Sequence, residues 1–370
     1  MNRILVYGLS PQKGGVEVII LNIIKYLSDN IEFDILLSSN RLDSIYESLP
    51  ERVNIIYITS WGENRKAFQK ELEKILKLNH YDYLWINACL MSNIDIINVA
   101  RKSSKLKIIT HSHGSSFEEK NVIKKWLLLC LHKFNRKFYL RNIDYPCMCS
   151  LKSGLWYYGR TYINKAEVFL FKNGIEINKF RYNEEIRQNY RNDLRLQGKI
   201  VLLHAGRLTD VKNQFYLIDI VSKCKDEGLN IHLLIAGEGE LEQQLKSYVK
   251  KFNLGKDITF LGSRDDIANL YQASDLFLLP SHHEGFPVTL TEAQVSGLRC
   301  LVSSNISEEV NLTGNVKFIP ITSNAIKTWV DEISSFQKED VDRSEYADII
   351  LHKRFDLRQI ACDFKRFIQA

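Results

Sequence analysis

The chain has 370 residues, which exceeds one ordinary domain and favours two. With 45% hydrophobic and 25% charged residues, the composition excludes a disordered chain. The net charge of +6 is uneven, because Lys and Arg predominate over residues 1–200 and Asp and Glu over residues 201–370. The first half is therefore expected to meet an anionic partner.

The cysteines and the apolar segments limit where the protein is expected to work. Seven Cys are scattered without a C-x-x-C pair, which argues against a zinc site or a disulfide framework and favours reduced thiols. The opening residues lack the pattern of a signal peptide, and no apolar run approaches the ~18 residues of a membrane-spanning helix. The sequence thus predicts a cytoplasmic protein.

Strand and helix signals alternate along both halves of the chain. In the first half, strands are predicted at 4–7, 33–37, 53–58, 83–86 and 106–110, with a helix at 16–27. In the second half, strands are predicted at 200–204, 231–236, 258–261, 276–279 and 300–302, with helices at 214–223, 241–252 and 288–296. This alternation predicts an α/β protein with two Rossmann-like, parallel-sheet domains facing a central cleft.

Polar composition places the domain boundary within residues 176–198. We expect a first domain at 1–180 and a second at 181–354, with a helix at about 355–370 that returns to pack on the first. The polar stretch 337–345 is a second expected linker. It contains the only D-x-D, at 340–342, which we interpret as solvated surface and not as a metal site.

Two motifs follow predicted strands of the first domain. Gly14-Gly15 would let backbone amides approach an anion, although an ordinary flexible loop also explains the pair. His111 and His113 lie in THSHG at the end of a strand, where a His can bond a sugar hydroxyl or move a proton. A plain surface His is the alternative, and the two are too close in register for a convincing metal site.

Residues 120–141 contain seven Lys and Arg, no Asp or Glu, and interleaved aromatic and aliphatic residues. A basic helix of this kind suits an anionic membrane surface. A helix that packs its apolar side on the core is the alternative, and nucleic acid is a third interpretation that no recognised module supports. The membrane-surface candidates are Lys124, Lys125, Trp126, Lys133, Arg136 and Lys137.

The second half carries a strand-to-helix junction, HAGRLTDVKN, at residues 204–213. Arg207 and Lys212 flank the start of the helix there, so together they could neutralise a diphosphate. Either residue alone is better explained as a solvated turn. Two cations would let a nucleoside diphosphate depart without a divalent metal.

Two glycine-containing loops follow further strands of the second half. GEGEL at 237–241 could approach a ligand closely, but a tight turn explains it equally well. FLGSRDD at 260–266, with Gly262 and Arg264, could lie against a nucleobase. A plain turn with Asp265 or Asp266 capping the next helix is the alternative.

The most informative segment is HEGFPVTLTEAQVSG, residues 283–297. It places Glu284 and Glu292 eight positions apart, around a Gly-Phe-Pro turn that follows a buried strand, with the second Glu on a predicted amphipathic helix. Carboxylates at a ligand-binding strand end repel phosphate but accept hydrogen bonds from vicinal hydroxyls, as on a ribose or a hexose. The segment therefore predicts a sugar-nucleotide site.

Taken together, these motifs resemble the retaining glycosyltransferases of family 4, which have the GT-B fold, and in particular the bacterial group that builds capsular or exopolysaccharide. The resemblance covers nearly the whole chain. It is most specific where the Glu-(seven residues)-Glu element joins the Arg/Lys pair. The segments that match in the family's order are GGVE at 14–17, HSHG at 111–114, NGIEINKF at 173–180, GRLTDVKN at 206–213, GEGEL at 237–241, FLGSRDDI at 260–267 and HEGFPVTLTEAQ at 283–294.

The resemblance implies a role for each matching residue. Glu292 would hold the ribose hydroxyls, Glu284 the hydroxyls of the transferred sugar, and Arg207 with Lys212 the diphosphate. Gly15 would lie beside the donor phosphates or the acceptor, and His113, or alternatively His111, near the donor sugar. Further donor contacts would come from Gly14, Gly262, Arg264, Gly285, Phe286, Pro287 and Val288.

The resemblance also implies a reaction and its partners. A hexose or N-acetylhexosamine would move from a nucleotide sugar, expected to be a UDP-sugar, to a lipid-linked (polyprenyl-diphosphate) saccharide, with retention and without a divalent metal or other cofactor. The protein would be peripheral on the inner face of the cell membrane, would bind no nucleic acid, and its first domain would take the acceptor. The alternatives are a nucleotide-sugar 2-epimerase of related fold and a non-catalytic membrane-associated nucleotide-sugar-binding protein.

Overall fold

The structure is a computed structural model that describes residues 2–12, 14–103, 105–114, 121–336 and 342–369. The chain divides into two compact units, one of residues 1–174 with 357–370 and one of residues 175–356. The divisions at 174/175 and 356/357 differ from the sequence expectations of 180/181 and 354/355. The physical reason is that Ile175, Ile177 and Phe180 are buried in the core of the second unit.

The first unit is built on seven strands. They are β1 (Asn2–Tyr7), β2 (Ile31–Leu37), β3 (Val53–Tyr57), β4 (Tyr83–Ala88), β5 (Lys107–Ser112), β6 (Tyr145–Met148) and β7 (Phe169–Leu170). The helices between them are α1 (Gly15–Leu27), α2 (Arg65–Leu78), α3 (Asp95–Ser103), α4 (Val122–Asn142), α5 (Leu151–Tyr157) and α6 (Arg160–Ile163). The strands pair in the order β3-β2-β1-β4-β5-β6-β7, every pair parallel.

The second unit repeats the design with six strands. They are β8 (Ile200–Ala205), β9 (Ile231–Ala236), β10 (Ile258–Gly262), β11 (Leu276–Leu279), β12 (Arg299–Ser303) and β13 (Val316–Ile319). Its helices are α7 (Ile177–Phe180), α8 (Glu184–Asp193), α9 (Gln214–Asp226), α10 (Glu242–Lys251), α11 (Ile267–Ala273), α12 (Val288–Val295), α13 (Ile326–Ser334) and α14 (Glu345–His352). The strands pair in parallel in the order β10-β9-β8-β11-β12-β13.

Both sheets are buried because their central strands are continuous apolar runs. In the second unit, Leu276–Leu279 is fully buried, and residues of β8 contribute alternately to the clusters on the two faces of the sheet. The predicted fold class, two Rossmann-like parallel-sheet domains, is confirmed. In both sheets the order reverses beside the first strand of the unit, so β1 and β4, and likewise β8 and β11, are neighbours whose carboxyl ends form a switch point for ligands.

The last helix, α15 (Leu357–Gln369), belongs to the first unit. It packs beside α1 and buries an apolar stripe that includes Phe364, whose ring lies 4.9 Å from that of Trp85. Its end is fixed by the Tyr83 hydroxyl, which donates to the Ile368 carbonyl at 2.9 Å. These contacts join the two ends of the described chain in one core.

The polar stretch that follows residue 176 forms packed structure instead of a linker. Helices α7 and α8 lie on the second unit, where Arg187 and Arg191 of α8 both pair with the buried carboxylate of Asp275. A polar sequence is thus compatible with packing because its charges are paired. Of the second expected linker, residues 337–341 lie outside the described residues.

Candidate functional site

The site in the second unit begins where β8 and β11 end side by side. The loop after β8 carries Arg207 and Lys212, and the loop after β11 carries Glu284. Backbone hydrogen bonds join the loops, since His282 N donates to the Val211 carbonyl at 2.8 Å. The Asn213 side chain adds a second link by donating to the Pro280 carbonyl at 3.2 Å. The two loops are therefore held as one surface.

Lys212 and Glu284, predicted as separate contacts of a donor, form an ion pair with 2.6 Å between Nζ and Oε1. Their side chains are only 19% and 13% exposed. The Lys212 chain passes beside Gly206, where a Cβ would lie in ordinary contact, 3.4 Å from the Lys212 Cε. The pair brings together two predicted site residues that are 72 positions apart in sequence. The Arg207 residue lies in the same loop and is exposed.

A buried network that the sequence did not reveal supports the loop after β8. Gln214, the first residue of α9, donates from its amide nitrogen to the Arg207 carbonyl at 2.9 Å and to His204 Nε2 at 3.2 Å. The His204 Nδ1 contacts the Leu278 carbonyl at 2.9 Å. Burial lowers the pKa of His204 to about 4, so the ring is neutral and can donate at one nitrogen and accept at the other. No motif marks Gln214, because only its position in the fold gives it this role.

The glycines of GEGEL approach the protein's own backbone. A Cβ on Gly237 would lie 2.1 Å from the Gly206 carbonyl oxygen, and one on Gly239 would lie 2.3 Å from that of Leu208. Leu208 N also donates to the Glu238 carbonyl at 2.9 Å. This loop thus packs against the loop that carries Arg207 and Lys212, and the close backbone approach that its glycines allow is to the protein's own chain.

The FLGSRDD segment is shaped mainly by local polar contacts. Arg264 is exposed and pairs with Asp266 at 2.5 Å, while Asp266 also accepts a hydrogen bond from the Tyr190 hydroxyl at 2.8 Å. Asp266 is the residue before α11, but its side chain makes no capping bond, so capping by Asp266 is not what the structure has. Ser263 N donates to Glu238 Oε1 at 3.1 Å, which ties this segment, including Gly262, to the GEGEL loop.

Glu292 lies on α12, which begins at Val288 directly after the Gly-Phe-Pro turn. Its carboxylate accepts a hydrogen bond from the buried Tyr271 hydroxyl at 2.9 Å. Helix α12 is buried on most of its surface and is not the amphipathic helix expected from the sequence, because it packs beneath the turn with α11 and α14. The Phe286 ring stacks on Phe355 at 5.6 Å and fixes the turn. Of the remaining predicted contacts here, Gly285 is exposed and Pro287 is buried.

In the first unit, the glycine motif lies at the beginning of α1. Gly14 is the N-cap residue and Gly15 the first residue of the helix. The buried Glu17 carboxylate accepts a hydrogen bond from Ser10 N at 2.9 Å, and a Cβ on Gly14 would lie 2.5 Å from its other oxygen. The buried Glu17 side chain therefore fixes the backbone of the segment before the helix through its bond to Ser10 N. In the sequence, Glu17 is marked only as the last residue of GGVE.

The two candidate histidines occupy different environments. Strand β5 extends to Ser112, so His111 is inside the strand and fully buried, with its ring 4.5 Å from that of Phe171. The surface interpretation is wrong for His111, because the β4–β5 ladder continues as far as Ser112. His113 follows the strand and is half-buried, with Nε2 at 2.9 Å from the Asn87 side-chain oxygen. Of the two residues, His113 is the one that is partly exposed and could contact a ligand.

Helix α4 exposes an unusual set of apolar side chains. Trp126 is 63% and Phe134 84% exposed. The others of this exposed set are Val122, Ile123, Leu127 and Leu131. The inward side of the helix carries His132, Asn135 and Tyr139. The helix therefore packs on the core with one side and exposes apolar residues on the other.

The predicted basic residues of α4 do not all behave alike. Lys124, Lys125, Lys133 and Lys137 are exposed. Arg136 instead turns inward and donates to the Trp156 carbonyl at 2.8 Å, and burial lowers the pKa of its guanidinium. Its predicted place among the surface cations is therefore wrong, because the residue lies on the side of the helix that faces α5. Lys120 lies outside the described residues.

The described ranges contain neither a metal-binding cluster nor a membrane-spanning helix. No three His, Cys, Asp or Glu side chains there are grouped closely enough to hold a metal ion. In the D-x-D segment, Asp340 and Val341 lie outside those ranges, and Asp342 accepts a hydrogen bond from Ser344 N. None of the helices in those ranges is long and apolar enough to cross a bilayer.

Residues 186–349 match the family model "Glycosyl transferases group 1". This match covers most of the unit that contains the Lys212–Glu284 pair and Glu292. The fold agrees, since Anabaena HepE, solved in complex with UDP and glucose, superposes with a TM-score of 0.77 at 19% identity over 100% of both chains. The fold is therefore that of the GT-B proteins, and the second unit resembles the glycosyl transferases of group 1.

Two relatives resemble the chain over nearly its full length. The UDP-Gal:alpha-D-GlcNAc-diphosphoundecaprenol alpha-1,3-galactosyltransferase of Escherichia coli is 26% identical, over 89% of this chain and 84% of its own. The capsular polysaccharide biosynthesis glycosyltransferase CapH of Staphylococcus aureus is 25% identical, over 95% of this chain and 94% of its own. The similarity therefore includes both units.

Proposed function

We propose that this protein is a retaining, metal-independent glycosyltransferase of family 4 that transfers a hexose or N-acetylhexosamine from a UDP-sugar to a lipid-linked saccharide in surface polysaccharide synthesis. The observation that carries the proposal is the Lys212–Glu284 pair at the adjoining ends of β8 and β11. The pair supports the proposal because a cation suited to a diphosphate lies next to a carboxylate suited to sugar hydroxyls, at the strand ends where α/β sheets bind ligands.

The paired state of Lys212 is compatible with binding a diphosphate. An ammonium has three donors, and Glu284 Oε1 occupies one of them at 2.6 Å. Lys212 can then donate to a β-phosphate oxygen while it still holds Glu284 toward the sugar. In this arrangement Arg207 supplies a second cation, and the two together offset the charge that develops on the departing UDP without a divalent metal.

Retention follows in this proposal from attack on the face that the diphosphate leaves. The acceptor hydroxyl would approach the anomeric carbon beside the departing β-phosphate, whose oxygen would take the hydroxyl proton. In this proposal Glu284 binds sugar hydroxyls while Lys212 holds its Oε1, and it is not used as a nucleophile. The same mechanism requires an acceptor hydroxyl, which a nucleotide-sugar 2-epimerase would not.

The named relatives support the choice of donor and acceptor. HepE was solved with UDP and glucose, and the Escherichia coli relative is named for a UDP-galactose donor and a diphosphoundecaprenol-linked acceptor. Resemblance to both favours a UDP-sugar and a polyprenyl-diphosphate saccharide. If UDP appears only when such an acceptor is added, transfer is the reaction. Release or isomerisation without acceptor would favour epimerisation or hydrolysis instead.

Donor binding should raise the melting temperature by mass action, and we expect UDP to do so more than GDP or ADP, with or without a chelator. The Glu292→Ala variant should lose this shift because it lacks the carboxylate that would hold the ribose hydroxyls. Its buried neighbour stays satisfied, since the Tyr271 hydroxyl also lies 3.0 Å from the Thr289 carbonyl. Glu242→Ala, which removes only the surface partner of Lys246, should retain the shift. A full UDP shift in Glu292→Ala would contradict the assignment.

We also propose that helix α4 docks the enzyme on the anionic inner face of the cell membrane. The exposed apolar side chains of α4 can enter the headgroup region, while Lys124, Lys125, Lys133 and Lys137 attract anionic lipid. The helix has no acidic residue to oppose this attraction. A membrane position would bring the enzyme to an acceptor whose polyprenyl chain lies in the bilayer.

Replacing Lys124, Lys125, Lys133 and Lys137 together with Glu should reduce binding to phosphatidylglycerol-containing liposomes by more than about 100-fold, because each basic residue near such a surface contributes ~1 kcal/mol. The matched control is the same change at four exposed lysines of α2 in the same unit: Lys66, Lys70, Lys74 and Lys77. An equal loss in both variants would show a general charge effect and would remove α4 from the docking surface. Sedimentation with vesicles at fixed ionic strength measures the difference.

A further inference from the structure

Asn87 lies beside His113 at the carboxyl edge of the first sheet. It belongs to β4, which pairs with β1 on one side and with β5 on the other. Gly8, directly after β1, has φ of +94°, and a Cβ there would lie 1.9 Å from the Asn87 carbonyl oxygen. The close approach that only glycine allows keeps this end of β4 in place, and with it the Asn87 side chain, which is almost completely buried.

The contacts of Asn87 determine which way its amide points. The side-chain nitrogen lies 3.4 Å from the Tyr7 carbonyl, and the side-chain oxygen lies 2.9 Å from His113 Nε2. A backbone carbonyl can only accept, so the amide nitrogen must face Tyr7 and the amide oxygen must face His113. Because that oxygen can only accept, His113 Nε2 must carry a proton.

The remaining nitrogen of His113 is then an acceptor. Burial lowers the pKa of His113 to about 3, so the ring is neutral and Nδ1 has no proton. Two titratable groups adjoin it: His111, whose ring centre is 3.9 Å away, and Cys149, whose Sγ donates to the His113 carbonyl. Burial lowers the pKa of His111 and raises that of Cys149, so both are uncharged at neutral pH. Throughout the described ranges, no group hydrogen-bonds His113 Nδ1.

We infer that Asn87 is a positioning residue that holds His113 as the Nε2–H tautomer, so that Nδ1 accepts a hydrogen bond from a hydroxyl group of a bound sugar. The inference rests on the proposed function for the identity of the ligand as a sugar. It goes further in specifying chemistry, since a lone-pair acceptor selects a donor such as a hydroxyl and disfavours phosphate and carboxylate oxygens.

The tautomer can be read directly in the free protein. In protein labelled with ¹⁵N at its nine His, with His113 assigned through a His113→Gln variant, the ¹⁵N shifts should show a protonated Nε2 and an unprotonated Nδ1. Protonation at Nδ1 would overturn the inference. This measurement needs no substrate, so a correct tautomer in a protein that transfers no sugar would count against the proposed function and not against the role of Asn87.

Variants test whether Asn87 is the cause. In Asn87→Asp a carboxylate faces Nε2–H and stabilises the imidazolium, so the His113 titration should move upward by at least one pH unit from about 3. Because protonated Nδ1 cannot accept a hydrogen bond, the acid limb of the pH–rate profile for sugar transfer should move upward by the same amount. Asn93→Asp is the matched control, because Asn93 is a buried Asn of the same unit that contacts the Tyr7 hydroxyl and not His113. Equal titration curves in the two variants would overturn the positioning role. A general folding defect would not shift the titration of this one histidine.

Discussion

Lys212→Ala is expected to lower kcat/KM for sugar transfer by about 10²- to 10³-fold, the usual effect of removing one group that stabilises charge in a transition state. Lys212 is proposed to contact the departing diphosphate, on which negative charge develops as the glycosidic bond breaks. Steady-state kinetics with a UDP-sugar and a lipid-linked saccharide would measure the loss. Lys225→Ala is the matched control, since Lys225 forms a more exposed ion pair with Asp257 in the same unit.

The same substitution should destabilise the free enzyme, and a second variant separates the two effects. Without Lys212, the Glu284 carboxylate remains charged at 13% exposure with its cation removed, which should cost about 2 kcal/mol. The double variant Lys212→Ala/Glu284→Gln has no such charge, so we expect most of the stability to return while activity stays well below that of Glu284→Gln alone. If the double variant were as active as Glu284→Gln, Lys212 would be a structural residue and the donor assignment would be wrong.

The fold could be predicted because the sequences of its central strands are continuous apolar runs. Leu276–Leu279 was predicted with the bounds that the structure has, and Ile231–Ala236 likewise. The predicted strands omit β6, β7 and β13, which do not have that signal. β6 contains Pro146, β7 has two residues, and β13 is a four-residue edge strand with an exposed Lys317. A short edge strand is defined by its hydrogen bonds to a neighbouring strand, and the local sequence does not show which strand will be its neighbour.

The candidate site was predicted residue by residue, but its internal contacts were not. Spacing and residue type indicated Lys212 and Glu284, yet their ion pair depends on β8 and β11 being neighbours although 70 residues of chain lie between the two strands. Gln214 and Asn87 were missed for the same reason. Each is a single amide residue with no motif, and its role arises from carbonyl and imidazole groups that other strands bring within 3.4 Å.

Gly237→Ala is expected to lower the stability of the second unit by at least about 3 kcal/mol, because it combines two costs. Gly237 has φ of +131°, a conformation unfavourable to any side chain, and a Cβ would lie 2.1 Å from the Gly206 carbonyl oxygen. The obstacle is backbone, so it cannot be relieved by a rotamer change. Urea denaturation, with hydrogen exchange of β8 and β9 amides to localise the effect, would measure the loss.

Substitutions at two other glycines of the second unit distinguish the cost of a positive φ from the cost of a steric clash at the Cβ position. Gly228 has φ of +77° but open space around its Cβ position, so Gly228→Ala should cost only the ~1 kcal/mol of a left-handed residue. Gly255 has neither a positive φ nor a neighbour within 4 Å, so Gly255→Ala should be nearly neutral. If Gly237→Ala cost no more than Gly228→Ala, the GEGEL loop would not need its close contact with Gly206.

Since Gly206 begins the loop that carries Arg207 and Lys212, we expect Gly237→Ala also to weaken UDP binding, whereas Gly228→Ala should leave it unchanged.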